Sequence, residues 1–329
     1  MATLETQQLD EVIVNSRRKL LSVGTTALAG LALAGISRAA NAQATTLTDA
    51  DYLNFALNLE YLEANFYNLA VNGVTIDKLP TPIAITGTGT QGTVTAKPSF
   101  AAVPFANTTI AAYAKETAIE ETKHVSFLRT ALGTSAVAQP AINLVDSFNA
   151  LASGALGVSS FDPFANDANF LIGAFIFEDV GVTAYHGAAG SLTSAANLGA
   201  AVGIHAVEAY HAGLVRTAIN IVDAGTGVLT GYTQKIAAFR SMLANPNGAT
   251  TTTKTGSKAD DIGIDNSQSV ALQGTSATYA STTIIDADSN SIGFSRTPQQ
   301  ILAIVTRTSP TATTHTGVFF PAGLNGNVK

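Results

Sequence analysis

Apolar and polar residues recur with the period of an α-helix in four long stretches of the chain. The first stretch opens with Thr48 and Asp51 in capping-box spacing and ends before Gly73, and Gly133 follows the second. A capping box before a helix and a glycine after it are typical of helix ends. The pattern therefore predicts four long helices, over residues 48–70, about 108–132, about 167–189 and about 194–223.

The segments between and after these helices follow other patterns. Residues 74–107 are rich in Thr, Gly and Pro, which predicts an irregular insertion with a small hairpin. The connection 134–167 is expected to hold a short helix near 140–151. The stretch "YTQKIAAFRSMLA", residues 232–244, predicts a shorter fifth helix.

Beyond Pro246 the composition changes to Thr, Ser, Gly and Asp without sustained periodicity. The exception is "TPQQILAIVTR", where Thr297 as a cap and Pro298 at the first helical position predict one short helix. Near the end, Phe319 and Phe320 form an apolar plug in a coil. We expect this plug to pack onto the helices.

The first 42 residues have the features of an export signal. A twin-arginine pair in "SRRKLL" precedes the apolar run "LLSVGTTALAGLALAGI", and "AANA" ends at Ala42 with small residues at the cleavage positions. The run is short and Gly-rich, which favours a signal over a membrane anchor. The pattern resembles a Tat signal, the route that exports folded proteins. We therefore expect a periplasmic or extracellular protein without a membrane segment after cleavage.

Composition narrows the partners and the chemistry. The net charge is −6, and because residues 1–42 carry +1, the remaining chain carries −7. It holds no Lys/Arg cluster, which argues against nucleic acid or an anionic membrane as a partner. The chain has no cysteine, so disulfides, thiol catalysis, zinc–thiolate sites and iron–sulfur clusters are excluded. Any metal must be bound by histidines and carboxylates.

A repeat of chemically active residues links the two halves of the helical region. In "EYLEANFY" and "EDVGVTAY", a glutamate is followed seven residues later by a tyrosine. In "EETKHVSFLR" and "VEAYHAGLVR", a Glu-x-x-His motif is followed by an arginine eight residues after the glutamate. The order is thus a Glu helix, a Glu-x-x-His helix, a long crossover, and the same two helices again.

Helical geometry explains why this repeat indicates a metal site. Residues at i and i+3 lie on one face of a helix, so each Glu-x-x-His pair can reach one ion. A single such pair is usually a solvated surface pair. Two copies in matching order, which together with the Glu helices use four of the seven glutamates beyond residue 42, favour a shared site. Four carboxylates and two imidazoles converging in a four-helix bundle form the ligand set of di-iron and di-manganese carboxylate proteins.

At this point the sequence resembles the ferritin-like superfamily, and within it the secreted ferritin-like domain branch related to desiccation-associated proteins. The stretches "LNFALNLEYLEANFY" and "FEDVGVTAYHGAA" and the tail "FSRTPQQILAIV…GVFFPAGLNG" carry the likeness, which covers about residues 47–325. It implies an all-α fold: a ferritin-like four-helix bundle with a long crossover. The expected organisation is a signal at 1–42, the bundle at 43–245 with insertion 74–107 and extra helix 232–244, and an irregular extension at 246–329 with one short helix packed on the bundle.

The resemblance also implies a role for each residue of the repeat. It makes Glu121 and Glu208 the bridges between two metal ions, because the first glutamate of each Glu-x-x-His faces the shared centre in the family. Carboxylates with imidazole suit iron first and manganese second. The implied ligands are Glu60, Glu121 and His124 for one metal, and Glu178, Glu208 and His211 for the other.

Three residues near the motifs have open roles. Glu63 lies close to the Glu60 face, but its counterpart in the other half is Gly181, so it is either an extra ligand or a buried hydrogen-bonding carboxylate. Tyr67 and Tyr185 lie two turns from their glutamates and either hydrogen-bond the metal shell, shuttle electrons or belong to the core.

Three further residues have no counterpart in the repeat. Glu120 is one position from the Glu121 face and is expected to be solvated. His186 and His205 are expected at the surface or behind the ligands.

Three functions fit these residues. The first is a di-metal oxidoreductase with ferroxidase- or peroxidase-like activity, which uses oxygen or peroxide. The second is a non-enzymatic stress or desiccation protein with a structural or vestigial metal site. The third is iron storage, which the 34-residue insertion disfavours, since ferritin cages need compact bundles. A homo-oligomer other than a cage stays open, and the fold alone does not decide among these functions.

Overall fold

The computed structural model describes residues 47–97, 100–246, 260–271, 278–288 and 290–329. The predicted export signal lies outside these residues and stays a prediction, as does the division of the chain at residues 42 and 245. The described part has seven α-helices. They are α1 (Asp49–Asn72), α2 (Thr108–Leu132), α3 (Asp146–Ala155), α4 (Asp167–Ala189), α5 (Ala195–Asp223), α6 (Val228–Ala244) and α7 (Pro298–Thr306).

The helix ends follow the local sequence. The predicted capping box of Thr48 and Asp51 is present at α1, and a second box of Thr297 and Gln300 opens α7. Two predicted helices are displaced. Helix α3 spans Asp146–Ala155 rather than 140–151, and α6 begins at Val228 rather than at residue 232. Helix boundaries without a strong cap are set by packing, which the sequence pattern does not show.

The four long helices form the predicted bundle. Helix α1 packs along α2 and α4 along α5, and the two pairs meet through α1 with α4 and α2 with α5. Among the described helices, α4 alone is long and apolar enough to cross a membrane, but 83% of its most apolar window is buried inside the protein. An apolar, covered helix of this kind is expected at the centre of a bundle.

The insertion between α1 and α2 runs along the crossover between α2 and α4. Strand β1 (Val94–Thr95) pairs in parallel with β2 (Ile142–Asn143). The hairpin predicted inside the insertion is therefore wrong for its described part, because the partner strand lies in a distant segment. Two short 3₁₀ turns, Ile76–Lys78 and Gly133–Ser135, complete these connections.

Buried asparagines of α1 hydrogen-bond these connections and the C-terminal tail to the bundle. The Asn54 amide donates to the carbonyl of Ser135, and its oxygen accepts from the Val137 amide. Asn58 and Asn325 bond reciprocally, which holds the C-terminal tail against α1. Each asparagine thus supplies partners to irregular backbone that no sheet or helix satisfies.

The C-terminal extension contains more regular structure than its composition indicated. Strands β3 (Asp265–Ala271) and β4 (Thr278–Thr283) form an antiparallel pair. The prediction of a single helix in an otherwise irregular extension is corrected here. The strand segments consist mainly of small polar residues, so the period-2 alternation that signals a half-buried strand is absent.

The predicted plug of Phe319 and Phe320 is confirmed, since both side chains are fully buried. The Phe319 ring packs against the rings of Phe148 and Phe177 at centroid distances of 5.3 and 4.9 Å. Aromatic contacts of this geometry join the tail, α3 and α4 in one core.

The two arginines of the repeat hold segments outside the bundle. Arg129 donates to the Tyr61 hydroxyl and, at 2.8 Å, to the carbonyl of Thr86 in the insertion. Arg216 donates to the carbonyls of Ile284 and, at 2.7 Å, Ile262 in the C-terminal extension. The repeat therefore anchors a different added segment in each half.

A second set of buried charges, here called the arginine cluster, joins the extension to the bundle. Asp179 of α4 accepts from Arg216 at 2.9 Å and from Arg240 at 2.8 Å. Asp261 accepts from Arg240 at 2.7 Å and from Arg296 at 2.8 Å. Every carboxylate of this set faces guanidinium groups. The arginine cluster comprises Asp179, Arg216, Arg240, Asp261 and Arg296.

Candidate metal centre

The bundle brings all six predicted ligand residues together in its interior. Helices α1 and α4 contribute one glutamate each, and α2 and α5 contribute one Glu-x-x-His pair each. All six side chains are buried, and Glu60, Glu121 and Glu208 have no exposed surface. This set, called the carboxylate centre below, comprises Glu60, Glu121, His124, Glu178, Glu208 and His211.

One half of the carboxylate centre is arranged around His124. Its Nδ1 atom lies 3.2 Å from Glu60 Oε2, 3.3 Å from Glu121 Oε2 and 3.5 Å from Glu208 Oε1. One ligand atom from each of these four residues lies within 4.8 Å of the others. Four donors at this spacing can surround one ion.

The other half is arranged around His211. Its Nδ1 atom lies 2.9 Å from Glu121 Oε1 and 3.4 Å from Glu178 Oε2. Glu121 thus belongs to both halves, with one oxygen toward each histidine, as a bridging carboxylate would. Glu208 lies with His124 rather than with its own motif partner His211. The assignment of ligands to individual ions stays a prediction.

Several donor atoms of the carboxylate centre are buried without a hydrogen-bond partner. Natural proteins rarely leave such atoms unsatisfied, and each one calls for an explanation. A cation at this position would satisfy them, so the donor set fits a bound metal. These atoms are Glu60 Oε2, Glu121 Oε1, Glu178 Oε2, both oxygens of Glu208, and His211 Nδ1.

Two tyrosines hold the outer carboxylates in place. The Tyr67 hydroxyl donates to Glu178 Oε1, and the Tyr185 hydroxyl donates to Glu60 Oε1. Each tyrosine therefore serves the glutamate of the opposite half of the repeat. The bond leaves the second oxygen of each carboxylate free to face the centre.

Glu120 also contributes to this arrangement, contrary to the expectation that it is solvated. Its Oε2 atom lies 2.7 Å from His211 Nε2, the ring nitrogen that faces away from the centre. An Nε2–H donor to this carboxylate leaves Nδ1 as the atom that faces Glu121 and Glu178. Carboxylates behind a histidine ligand orient the ring and raise its basicity.

Glu63 lies beside the carboxylate centre, in space that Gly181 leaves open. A Cβ atom on residue 181 would stand 2.3 Å from Glu208 Oε2 and 3.4 Å from Glu63 Oε1. A side chain at 181 would therefore displace Glu208. Glu63 and Gly181 occupy equivalent positions in the two halves of the repeat. The missing side chain at Gly181 leaves space that the carboxylates of Glu63 and Glu208 occupy.

Burial raises the pKa of four of these carboxylic acids, since the charged form loses its hydration. The pKa of Glu60 rises from 4.5 to about 7, through burial and the charge of Glu121, against the attraction of His124. Without metal, these acids therefore keep their protons to a higher pH than exposed glutamates do. The four acids are Glu60, Glu63, Glu178 and Glu208.

The histidines and Glu121 shift in the opposite sense. Burial alone would lower the histidine pKa values, but the charge of Glu178 helps raise the pKa of His211 to about 12. Glu60 and Glu121 likewise hold the pKa of His124 far above its usual range. Burial alone would raise the pKa of Glu121, yet both histidines hold it below its usual value. Glu121 and the two histidines thus stabilise one another's charged forms.

His186 and His205 lie away from these ligands. Their rings are neighbours, with centroids 5.8 Å apart, and His186 Nδ1 bonds the carbonyl of Phe294 at 3.1 Å. Burial lowers the pKa of His205. Neither ring belongs to a group of ligand atoms in the described part of the chain.

Comparison with known proteins agrees with this geometry. A family model described as "Ferritin-like domain" matches residues 48–221, which include all six residues of the carboxylate centre. No solved structure matches the chain.

Two curated relatives cover most of the chain. A desiccation-related protein of Craterostigma plantagineum is 30% identical over 274 residues, which are 80% of this chain and 81% of the relative. A ferritin-like catalase of Nesocodon mauritianus is 24% identical over 289 residues, 85% of this chain and 84% of the relative. With the helical bundle and the buried carboxylates and histidines, these matches show that the chain belongs to the ferritin-like family.

Proposed function

We propose that this chain is an exported oxidoreductase that binds two metal ions, iron or manganese, and acts on peroxide or oxygen. The observation that carries the proposal is Glu121, whose two oxygens face the two histidines while buried donor atoms around it lack partners. The carboxylate and imidazole donors suit iron or manganese. Two such ions would supply one-electron redox chemistry when bound, and the six residues of the carboxylate centre would hold them.

The chain itself orients the donors and excludes water. Tyr67 and Tyr185 fix one oxygen of Glu178 and Glu60, and Glu120 fixes the His211 ring. The helices bury every one of the ligand side chains. Donors held in this way need little rearrangement when an ion binds, which favours both affinity and defined geometry.

The name of one relative supports a peroxide as the substrate. The Nesocodon protein is called a ferritin-like catalase, and its similarity extends over most of both chains. The other candidate function is non-enzymatic protection during stress, which the name of the Craterostigma relative favours. In that case the same donors would hold a structural metal.

Metal analysis and peroxide consumption test the proposal together. We expect two ions per wild-type chain, measured by elemental analysis, and loss of peroxide from solution, measured by its ultraviolet absorbance. The double variant Glu121→Ala with Glu208→Ala removes three of the donor atoms named above as unpartnered and should lose both properties. Glu116→Ala, on an exposed residue of α2, should retain both.

Two outcomes would redirect the proposal. Two bound ions without turnover of peroxide or oxygen would favour the structural role. A wild-type chain that takes up no iron or manganese would refute the metal centre itself.

We also propose that the chain leaves the cytoplasm by the Tat route and acts without nucleic acid, membrane or ferritin-like cage. The twin arginines Arg17 and Arg18 support the route. Their double substitution by lysine should leave precursor inside the cell. Unchanged export would contradict the Tat route.

A further inference from the structure

An apolar groove runs along the outer side of the bundle, between α2 and α5. Its volume is about 580 Å³, and its walls include Tyr113 of α2 and Leu214 of α5. Two large side chains of α5 line it and extend into water, since Tyr210 is 78% exposed and Ile221 is 70% exposed. Contiguous exposed apolar surface of this kind marks a place where another molecule binds.

The outward side of α5 carries no charge. Within this helix, which the structure describes throughout, every acidic residue and the arginine are buried, namely Glu208, Arg216 and Asp223. The water-facing side of a helix normally carries charged residues. The core of a protein–protein interface is instead depleted of charge and enriched in tyrosine. The outward side of α5 therefore has the composition of an interface core.

The exposed sides of α2 and α5 together are large enough for a stable complex. The helices have 25 and 29 residues. Side by side they present a surface about 40 Å long and about 20 Å wide, or about 800 Å², which is the area that each partner buries in a standard interface. The exposed charges of α2 are of both signs, Lys115 and Lys123 with Glu116, so this surface does not repel a second copy of itself.

The outward residues of α5 also complement one another across a twofold axis. When two copies of α5 pack antiparallel with their centre just after Gly213, Tyr210 of each copy lies opposite Thr217 of the other. Ile221 then lies opposite Ala206, so large side chains meet small ones. A Cβ atom on Gly213 would meet nothing within 4 Å in this chain. Glycine lowers helix stability relative to alanine, and here it leaves room for a second helix to approach closely.

We propose that this side of the bundle binds a second copy of the chain, in a twofold dimer whose α5 helices cross antiparallel beside Gly213. A twofold dimer uses the same surface on both subunits, so that surface must complement itself. The pairing of large with small residues meets this requirement. Tyr210 and Ile221 leave water on both copies when the dimer forms. The dimer requires no metal, so it goes beyond the proposed function and does not rest on it.

Sedimentation velocity of the full chain at micromolar concentrations tests the dimer, with and without a chelator. We expect twice the mass of the chain in both states. Tyr210→Glu buries a charge in the contact of each copy and should weaken the dimer by about a hundredfold or more. Met242→Glu, on an exposed methionine of α6, is the matched control and should stay dimeric. Gly213→Glu replaces Tyr210→Glu if that variant does not fold. A monomeric wild type or a dimeric, folded Tyr210→Glu would overturn the proposal.

Cross-linking tests the position of the twofold axis. The chain has no cysteine, so every disulfide in a variant comes from the introduced residue. The two copies of residue 213 should lie beside the axis, within the Cα separation of about 4.4–6.8 Å that a disulfide requires. Gly213→Cys should therefore form a covalent dimer under mild oxidation, whereas Met242→Cys should remain a single chain on a denaturing gel. Equal cross-linking of the two variants, or none, would overturn the proposal.

Two further measurements separate this proposal from its alternatives. A monomeric chain that binds vesicles of phosphatidylcholine would assign the apolar surface to a membrane and overturn the dimer. A dimer that takes up no iron or manganese would refute the proposed function alone. Two bound ions in a monomeric chain would refute only the dimer.

Discussion

The carboxylate centre and the arginine cluster are adjacent in the chain, since Glu178 belongs to one and Asp179 to the other. They differ in the partners of their buried carboxylates. The arginine cluster sets three guanidinium groups against Asp179 and Asp261, with Asp286 nearby, and its carboxylates are hydrogen-bonded. The carboxylate centre sets four glutamates against two histidines and leaves donor atoms without partners. In the first region every carboxylate has an arginine partner within the chain, whereas in the second the carboxylates outnumber the histidines.

This difference indicates a structural role for the arginine cluster and a binding role for the carboxylate centre. A buried ion cluster that is complete in the apoprotein tolerates no loss of a member, because the remaining charge is then buried alone. A cluster with excess buried carboxylates is stabilised by anything that neutralises it, whether protons or metal ions. Charge substitutions in the two regions should therefore have opposite effects on the stability of the metal-free protein.

The largest effect is expected in the arginine cluster. Arg240→Met removes a guanidinium that serves both Asp179 and Asp261 and should lower the free energy of unfolding by about 3–5 kcal/mol. Urea denaturation of metal-free protein measures this loss. A smaller effect than that of the exposed control Lys115→Met would contradict the assignment of the cluster as a structural element.

The pH dependence of metal binding gives the next largest effect. The pKa of Glu60 rises from 4.5 to about 7 on folding. Glu60 therefore lowers the free energy of unfolding of the metal-free protein above pH 4.5, and this loss grows until about pH 7. Metal must displace this proton. Added Fe(II) or Mn(II) should therefore raise the melting temperature clearly at pH 7, and the gain should shrink toward pH 5. Each displaced proton changes the free energy of metal binding by about 1.4 kcal/mol per pH unit.

Calorimetric scans with metal and with chelator at both pH values measure this gain. A melting temperature that responds to neither metal nor chelator would favour a vestigial centre.

Removing one acidic group from the carboxylate centre should stabilise the metal-free protein. Burial and neighbouring carboxylates raise the pKa of Glu208 well above its usual value, so its presence costs stability at neutral pH. Glu208→Gln keeps the shape and should add about 1–3 kcal/mol to the free energy of unfolding. It should also abolish the gain from metal. Destabilisation of the metal-free variant would show that Glu208 holds the fold together in its own right.

The smallest effect is expected at Glu120. Glu120→Gln weakens the partner of His211 Nε2 and should lower metal affinity by about 10–100-fold while two ions still bind at saturation. Glu116→Gln, on an exposed position of the same helix, is the matched control. Competition with a fluorescent chelator measures both. Equal affinities in the two variants would mean that Glu120 does not position His211.

The helices and the ligand residues could be predicted because both depend on short-range geometry. The capping box at Thr48 and the i,i+3 spacing of Glu121 and His124 are local, and the repeat places equivalent residues in both halves. The arginine cluster could not be predicted in this way. Its aspartates and arginines come from α4, α5, α6 and the extension, and no spacing relates them.

The sequence by itself determined which residues repeat, on which helices they lie, and that only histidines and carboxylates could bind a metal. Tertiary structure alone decided the exchange of partners between the halves: Tyr67 with Glu178, Tyr185 with Glu60, and Glu120 with His211. The physical reason is that helical periodicity fixes the direction of a side chain from its own axis. The rotation and separation of the helices, which decide what that side chain meets, follow from the packing of the whole core.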